Sequence, residues 1–255
     1  MQQKEQARKI LELLKKNYPN AKMILNYSNN FELLVAVMLS AQCTDVMVNK
    51  VTEKLFPKLR KLNLTNSYSS SEAKAESRSQ RGSSQLTPLA RTITHEELQE
   101  IINYAEVDIH ELEQGIRSTG FYKNKAKNVQ AAAKMVLEKF NGVLPRTIAE
   151  MITIPGVARK TANVVLGNAY GIYEGIAVDT HVGRLSQRLG LSKQANPEKI
   201  EQDLMKLYDP KDWFKLTYLL IEHGRTICVA KKPKCDECFL NKLCPSAFQF
   251  PQFKK

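Results

Sequence analysis

The chain lacks three features that would place it outside the cell or in a membrane. Its 255 residues include only five cysteines, too few and too unevenly placed for an extracellular disulfide framework. No apolar stretch reaches the roughly 18 residues that a membrane-spanning helix needs. The polar start MQQKEQARKI has no apolar core of the kind found in secretory signals. We therefore expect an intracellular protein with no membrane partner.

Acidic residues are scarce relative to basic ones. The sequence has 38 lysines and arginines against 26 aspartates and glutamates, which gives a formal net charge of +12. Such a surface attracts polyanions, and nucleic acid is a better candidate than an acidic membrane surface. Charge alone also fits a basic protein that has no such partner.

Strand signals are missing too, because no alternating apolar and polar run is bounded by a two-residue turn. Residues 31–39 are apolar on all sides, which predicts a buried helix. Cys43 closes this apolar region, and we expect its side chain to be buried as well. Helical spacing recurs at Ala162, Val165, Leu166 and Ala169, and again at Trp213, Leu216 and Leu220. The fold class predicted from these patterns is all-α.

Between residues 63 and 92 the chain has little apolar side-chain surface. Eight serines fall between Ser67 and Ser84, and isolated charges separate them. So polar a segment cannot bury enough surface to offset the entropy lost on ordering. We predict a mobile insertion there and assign it no function.

Four of the cysteines form a compact set near the C-terminus. Cys228, Cys235, Cys238 and Cys244 are separated by six, two and five residues. Thiolates select iron–sulfur clusters or zinc over hard cations. Structural zinc sites commonly use two C-x2-C pairs, whereas only Cys235 and Cys238 are spaced in that way. The spacing favours an iron–sulfur cluster and leaves zinc open.

A tight turn separates two helical stretches in residues 147–170. One helix is predicted to end near Thr153, and the next begins near Ala158 or Arg159. Gly156, in the turn between them, can adopt backbone conformations closed to other residues. This is a helix-hairpin-helix pattern, and the free N–H groups that begin its second helix can bind a DNA phosphate.

Lys160 falls in the first turn of that second helix, where the helix dipole disfavours an ammonium ion. Partial burial would favour the neutral amine further, so Lys160 could act as a nucleophile. The plainer alternative is a solvated lysine that binds phosphate beside Arg159. Asp179 precedes another helical stretch, where it could orient a proton or water near the lysine, cap the helix, or do both.

Five features together make the chain resemble the endonuclease III family of DNA glycosylases and abasic-site lyases. They are FELLVAVMLSAQCTD, STGFYKNKA, IPGVARKTANVVL, IAVDTH, and the four cysteines with the flanking HGRTIC and KPKC. The similarity covers most of the chain outside the predicted insertion. No single segment would carry it, and their combination is highly specific.

The resemblance implies two all-helical lobes with the family's DNA-binding cleft between them. A six-helix barrel containing the helix-hairpin-helix would span residues 23–173. Residues 1–22 and 174–255 would form a lobe that holds a 4Fe-4S cluster. The family's cluster ligands fall on Cys228, Cys235, Cys238 and Cys244, so the resemblance implies a 4Fe-4S cofactor rather than zinc.

The resemblance also implies roles in catalysis and base flipping. The family's catalytic lysine and aspartate fall on Lys160 and Asp179. The glutamine and apolar wedge that fill the gap left by a flipped nucleotide fall on Gln42 and Phe121. Helix capping is the alternative role for Gln42, and ordinary core packing is the alternative for Phe121.

The remaining expected DNA contacts include Gly156 and Arg159 in the hairpin, and His181 after the aspartate. The loop between the first two cluster cysteines, which meets the DNA backbone in the family, contains Lys231, Lys232 and Lys234. Solvent exposure without a partner is the alternative for His181 and these lysines. Two positions depart from the family pattern, since family members commonly have leucine at the Phe121 position and glycine at the Ala158 position. The Ala158 methyl group could crowd a phosphate or only stiffen the turn.

The sequence therefore predicts a bifunctional enzyme of base excision repair that acts as a monomer on duplex DNA. It would remove oxidised pyrimidines and cleave the abasic site by β-elimination through a lysine Schiff base. In a bacterium it would work in the cytoplasm or nucleoid. Two alternatives stay open, a monofunctional glycosylase and a non-catalytic iron–sulfur DNA-binding module. A ferredoxin-like electron carrier would leave the basic surface and the helical bulk unexplained.

Overall fold

The computed structural model describes residues 2–65 and 93–253. Across these two ranges the regular structure consists of α-helices and short 3-10 turns without a strand, which confirms the all-α prediction. No helix in the described ranges is long and apolar enough to cross a membrane. Most of the predicted insertion at residues 63–92 lies outside the described residues.

The helices follow one another through the described residues. In order they are α1 (Gln2–Asn17), α2 (Asn30–Leu39), α3 (Asp45–Lys61), α4 (His95–Glu106), α5 (Ile109–Ile116), α6 (Tyr122–Phe140), α7 (Ile148–Met151), α8 (Arg159–Tyr170), α9 (Thr180–Arg188), α10 (Pro197–Leu207) and α11 (Pro210–Thr226). The 3-10 turns are Arg117–Thr119, Asn241–Leu243 and Pro251–Phe253.

The chain divides into two compact units. The terminal unit comprises Met1–Ile24, Arg146–Thr153 and Val157–Lys255, and the central unit comprises Leu25–Pro145 and Ile154–Gly156. The terminal unit thus contains α7 and α8, which the resemblance assigned to the six-helix barrel. The barrel and its boundaries stay a prediction.

In the central unit, α2 is the buried helix that the sequence predicts. Asn29 caps its N-terminus by accepting a hydrogen bond from the backbone N–H of Glu32 at 2.8 Å. All residues from 31 to 39 are buried, because α2 packs against both α3 and α6. The α4 and α5 helices also pack on α6, so α6 is the common support of this unit.

A buried polar cluster joins α2, α3 and α4. The Glu32 carboxylate is fully buried and pairs with the Arg60 guanidinium at 2.7 Å. Glu100, 2% exposed, accepts a hydrogen bond from the Asn29 side chain at 2.7 Å. Burial, together with the negative charge of Glu32, raises the pKa of Glu100 to about 8.

In the terminal unit, α1, α9, α10 and α11 enclose one apolar core. Leu216 and Leu220 of α11 are fully buried in it, as their spacing predicts. Three of the four C-terminal cysteines pack against the same core. The apolar face of α8 is buried through Ala162, Val165 and Leu166, so the helix after the hairpin is also confirmed.

The raised pKa of Glu100 makes stability depend on pH. Between its ordinary value near 4.5 and about 8, the folded protein keeps a proton that the unfolded chain releases. The free energy of unfolding therefore decreases as pH rises through this window. We expect Glu100→Gln, which cannot ionise, to unfold at a higher temperature than the unmodified protein near pH 9 and to gain less near pH 5.

Thermal unfolding followed by circular dichroism at both pH values measures this difference. Glu96→Gln, an exposed glutamate on the same helix, is the matched control. A pH dependence in Glu100→Gln equal to that of the unmodified protein would show that Glu100 ionises normally in the fold.

Candidate functional site

The four C-terminal cysteines meet in one place. Their side chains line a single cavity of about 20 Å³ in the terminal unit. All are free thiols rather than disulfides. Cys235 is buried and the other three are partly buried. The structure thus brings together the four residues that the spacing selects, within one small and largely apolar pocket.

The chemistry of these thiols fits an iron–sulfur cluster. Burial raises the pKa of the Cys238 thiol to about 11, and it raises that of Cys244. Bound iron offsets this penalty by stabilising thiolates. In the described part of the chain, no three His, Cys, Asp or Glu side chains are grouped tightly enough for a single metal ion. The argument for an iron–sulfur cluster rests instead on the four cysteine sulfurs, which are soft donors and line one cavity.

Two arginines that the sequence analysis did not identify hold the backbone around the first cysteine. From α9, Arg184 donates to the carbonyl oxygens of Gly224 at 2.9 Å and Cys228 at 3.1 Å. Arg188 donates to those of Val229 at 2.8 Å and Ala230 at 2.6 Å. The two arginines are one helical turn apart on α9, so the sequence alone could have shown that they lie on the same face of that helix.

The loop that follows Cys228 exposes its lysines. Lys231, Lys232 and Lys234 are all exposed, as expected of a surface that binds a polyanion. Lys234 lies 3.6 Å from the carboxylate of Glu237, so part of its charge is balanced within the protein. The role of all three lysines in DNA binding stays a prediction.

The hairpin turn requires glycine at position 156. Gly156 has a φ of +78°, in the left-handed region. A Cβ atom there would lie 2.8 Å from side-chain atoms of both Met38 and Asn128. The preceding helix, α7, ends at Met151, slightly before the predicted end near Thr153. The second helix begins at Arg159, as predicted, and its N-cap residue Ala158 makes no side-chain capping bond.

The two predicted catalytic residues lie at the starts of α8 and α9. Lys160 is exposed, which agrees with the plainer alternative of a solvated lysine in the free protein. Asp179 caps α9, where its carboxylate accepts a hydrogen bond from the backbone N–H of Val182 at 2.8 Å. Capping fixes the position of this carboxylate.

The neighbouring predicted DNA contacts already have partners within the protein. The Arg159 Nε donates to the Glu201 carboxylate at 2.7 Å, and its side chain is 41% exposed. His181 is half-buried, and its Nδ1 lies 3.2 Å from a guanidinium nitrogen of Arg184. Burial lowers the pKa of His181, which favours the neutral imidazole.

Gln42 and Phe121 share an unusual backbone conformation. Their φ angles are +54° and +47°, and both side chains are exposed, Phe121 to 66%. The alternative of core packing for Phe121 is therefore wrong. Gln42 lies in the turn between α2 and α3 rather than at a helix cap. Cys43, next to it, is only partly buried, because this turn extends to the surface.

A buried lysine joins the segments that precede these two residues. The Nζ atom of Lys125 donates to the carbonyl oxygens of Leu39 and Thr119, both at 2.8 Å. Leu39 ends α2 just before the Gln42 turn, and Thr119 ends the 3-10 turn just before Phe121. Lys125 is 7% exposed, and burial lowers its pKa. Lys125 lies within the segment STGFYKNKA, but neither its spacing nor the family resemblance assigned it a role.

Two family models match the chain. The model of the HhH-GPD superfamily of base excision DNA repair proteins matches residues 35–210. The model of the iron–sulfur binding domain of endonuclease III matches residues 228–244, the same interval that the four cysteines span.

Curated relatives and a solved structure cover nearly the whole chain. Endonuclease III of Synechocystis sp. is 46% identical over 244 residues, 96% of this chain and 94% of the relative. Endonuclease III of Bacillus subtilis is 39% identical over 228 residues, 89% and 86% of the two chains. A solved structure of a trapped covalent intermediate of endonuclease III with DNA is 38% identical, with a TM-score of 0.78 and coverage of 96% and 97%.

Removal of the Lys125 ammonium should destabilise the central unit. Lys125→Met keeps much of the aliphatic bulk but leaves the two carbonyl oxygens without their charged donor. We expect the free energy of unfolding to decrease by about 1 to 3 kcal/mol. Denaturant unfolding measures the change, with Lys127→Met, an exposed lysine on the same helix, as the control. Equal stability of the two variants would contradict a structural role for these hydrogen bonds.

Proposed function

Because the chain belongs to the endonuclease III family, within the HhH-GPD superfamily of base excision DNA repair proteins, we propose that Lys160 and Asp179 carry out its chemistry. The protein is a DNA glycosylase and abasic-site lyase. The observation that carries the assignment is the match, over almost the full chain, to a relative trapped as a covalent intermediate with DNA. A covalent intermediate needs a nucleophile, and Lys160 is exposed at the start of a helix.

The reaction begins when the neutral amine of Lys160 attacks C1′ of a flipped nucleotide. The C1′–N bond breaks, and the base leaves with the bonding electron pair and takes up a proton. Opening of the C1′–O4′ bond then gives a Schiff base between Nζ and the sugar. Loss of the C2′ proton supplies the electrons that break the C3′–O bond, which expels the 3′ phosphate.

Lys160 is exposed to solvent before the reaction and is desolvated only when DNA binds. In the free protein the side chain is exposed to solvent. Bound DNA then excludes water from the amine, and removal of water favours its neutral form.

Asp179 contributes a carboxylate whose place is set by its capping bond to α9. Positive charge develops on the sugar as the base departs, and a fixed carboxylate stabilises that charge. Proton transfer during sugar opening and elimination is a second use of the same group. Both uses require only that the carboxylate stay where the cap holds it.

Each unit has its own proposed DNA contacts. In the central unit, Gln42 would hydrogen-bond the base left without a partner, and Phe121 would stack in the gap. In the hairpin, the N–H groups after Gly156 would bind phosphate, and the exposed part of Arg159 would add positive charge. The remaining contacts would come from His181, Lys231, Lys232 and Lys234.

The cofactor is a 4Fe-4S cluster, and we assign its ligation to Cys228, Cys235, Cys238 and Cys244. When bound, the cluster supplies four iron–thiolate bonds that fix the cysteine segments to one another. Arg184 and Arg188 hold the backbone beside the first ligand, so the lysine loop starts from a fixed point.

The finer assignments follow from the same family membership. We propose that the preferred substrates are oxidised pyrimidines in duplex DNA, that the enzyme acts as a monomer, and that it works inside the cell. A monofunctional glycosylase would release the base without becoming covalently attached to DNA. A non-catalytic DNA-binding module would neither release the base nor become covalently attached to DNA. The test of Lys160 distinguishes these outcomes.

Borohydride reduction should trap Lys160 on DNA. Incubation of the protein with a duplex containing thymine glycol or an abasic site, followed by borohydride, should give a covalent adduct visible by gel electrophoresis. Lys160→Gln should give no adduct and no strand cleavage while retaining DNA binding. Lys193→Gln, which alters an exposed lysine of the same unit, should behave as the unmodified protein. An adduct formed by Lys160→Gln would assign the nucleophile to another amine.

Phe121 should contribute to lesion binding through stacking. We expect Phe121→Ala to weaken binding to a lesion-containing duplex by about 1 to 3 kcal/mol, with a smaller effect on undamaged duplex. Fluorescence anisotropy with both duplexes measures the difference. Phe248→Ala is the matched control, since Phe248 is also exposed and also has a positive φ. Equal losses in the two variants would rule out a specific role for Phe121.

A further inference from the structure

One buried carboxylate in the terminal unit accepts hydrogen bonds from several parts of the chain. Glu201, on α10, is 4% exposed. Its Oε2 accepts from Nε of Arg159 at 2.7 Å. Its Oε1 accepts from the Asn163 side chain at 2.9 Å and from the backbone N–H of Ile176 at 3.1 Å. These donors satisfy both oxygens of the carboxylate.

The donors belong to the two segments that carry the proposed catalytic pair. Arg159 begins α8 and directly precedes Lys160, and Asn163 lies one turn further along the same helix. Ile176 lies in the segment without regular secondary structure that leads to Asp179, the N-cap of α9. A single carboxylate therefore bonds to the start of the lysine helix and to the segment leading to the aspartate.

The backbone of this segment passes close to Glu201 at Gly175. A Cβ atom built on Gly175 would overlap with Oε1 of Glu201 and would come within 3.0 Å of the Asn163 side-chain amide. The absence of a side chain at Gly175 lets the following N–H of Ile176 reach the carboxylate. Position 175 therefore requires glycine, because any side chain would overlap with the Glu201 carboxylate.

We propose that Glu201 is a positioning residue for the glycosylase and lyase reaction. Its hydrogen bonds set the start of α8, and with it Lys160, at a fixed position relative to Asp179. Glu201 itself is buried and does not touch DNA. The proposal rests on the assignment of Lys160 and Asp179 to the chemistry.

In this arrangement Arg159 has a positioning role in addition to its proposed contact with phosphate. Its bond to Glu201 fixes the residue adjacent to the nucleophile, while the exposed part of the side chain remains available to phosphate. Catalysis by an oriented amine is sensitive to small displacements, because a shift of about 1 Å at the reacting atoms can lower the rate about 100-fold. Loss of the carboxylate charge should therefore affect the rate more than DNA affinity.

Glu201→Gln is the sharpest variant for a test. Its amide oxygen can still accept from Asn163 and from Ile176, but its amide nitrogen presents a donor where the guanidinium of Arg159 also donates. Glu198→Gln makes the same change of charge at an exposed position of α10 and serves as the matched control. Glu201→Asp, which keeps the charge and shortens the side chain, is the second variant.

The experiment measures the single-turnover rate of Schiff-base trapping on a duplex with a preformed abasic site, at saturating concentrations of the cluster-loaded enzyme. The dissociation constant for the same duplex, the melting temperature and the cluster absorbance are measured in parallel. We expect Glu201→Gln to slow trapping about 10- to 100-fold with less than about a threefold change in affinity. Glu198→Gln should match the unmodified enzyme. If Glu201→Gln does not fold, Glu201→Asp takes its place, and we expect the same slower trapping with little change in affinity.

A double-variant comparison separates positioning from general stability. If Glu201 acts through Arg159, then Arg159→Gln combined with Glu201→Gln should trap no more slowly than the slower single variant. Folded Glu201→Gln with an unchanged saturated rate would overturn the proposal, as would a loss confined to DNA affinity. Failure of the unmodified enzyme to form an adduct, or trapping by Lys160→Gln, would instead overturn the assignment of the nucleophile.

Discussion

Burial of a negative charge is the constraint on which the terminal unit depends. An ionised carboxylate removed from water is very unfavourable unless donors surround it. Glu201 meets this condition with a guanidinium, a side-chain amide and a backbone N–H. These donors come from α8 and from the segment before α9, so the folding of α10 is tied to both. Hydrogen bonds to one buried carboxylate therefore reach both of the segments that contain the proposed catalytic pair.

A second group of hydrogen bonds organises the cysteine region. In this group the charged partners are cationic guanidinium groups rather than a carboxylate. Here the acceptors are backbone carbonyl oxygens at the end of α11 and in the loop beyond it, and the donors are Arg184 and Arg188. Because both arginines project from α9, the helix that Asp179 caps also supports the loop of exposed lysines. The proposed catalytic carboxylate and a proposed DNA-binding surface thus share one structural support.

The helices were predictable because apolar spacing and burial act locally, and α2 and α8 follow those rules. Convergence of the four cysteines was also predictable, since little chain separates them. The bonds of Glu201 were not, because their partners lie far away in sequence and no periodic signal marks a buried glutamate. Exposure of Phe121 ran against its apolar character, and only the resemblance indicated it. Cys43 was wrongly expected to be buried because the apolar run before it ends in a surface turn.

The left-handed backbone at Gln42 and Phe121 also limits how the protein can change. A residue with a Cβ atom is less stable in this conformation than glycine by about 1 to 2 kcal/mol. Selection for thermal stability alone would therefore favour glycine at both positions. Glycine would also remove the two side chains proposed to fill the gap in the duplex. A laboratory screen that selects only for thermal stability would therefore favour variants that lack the side chains proposed to recognise the lesion.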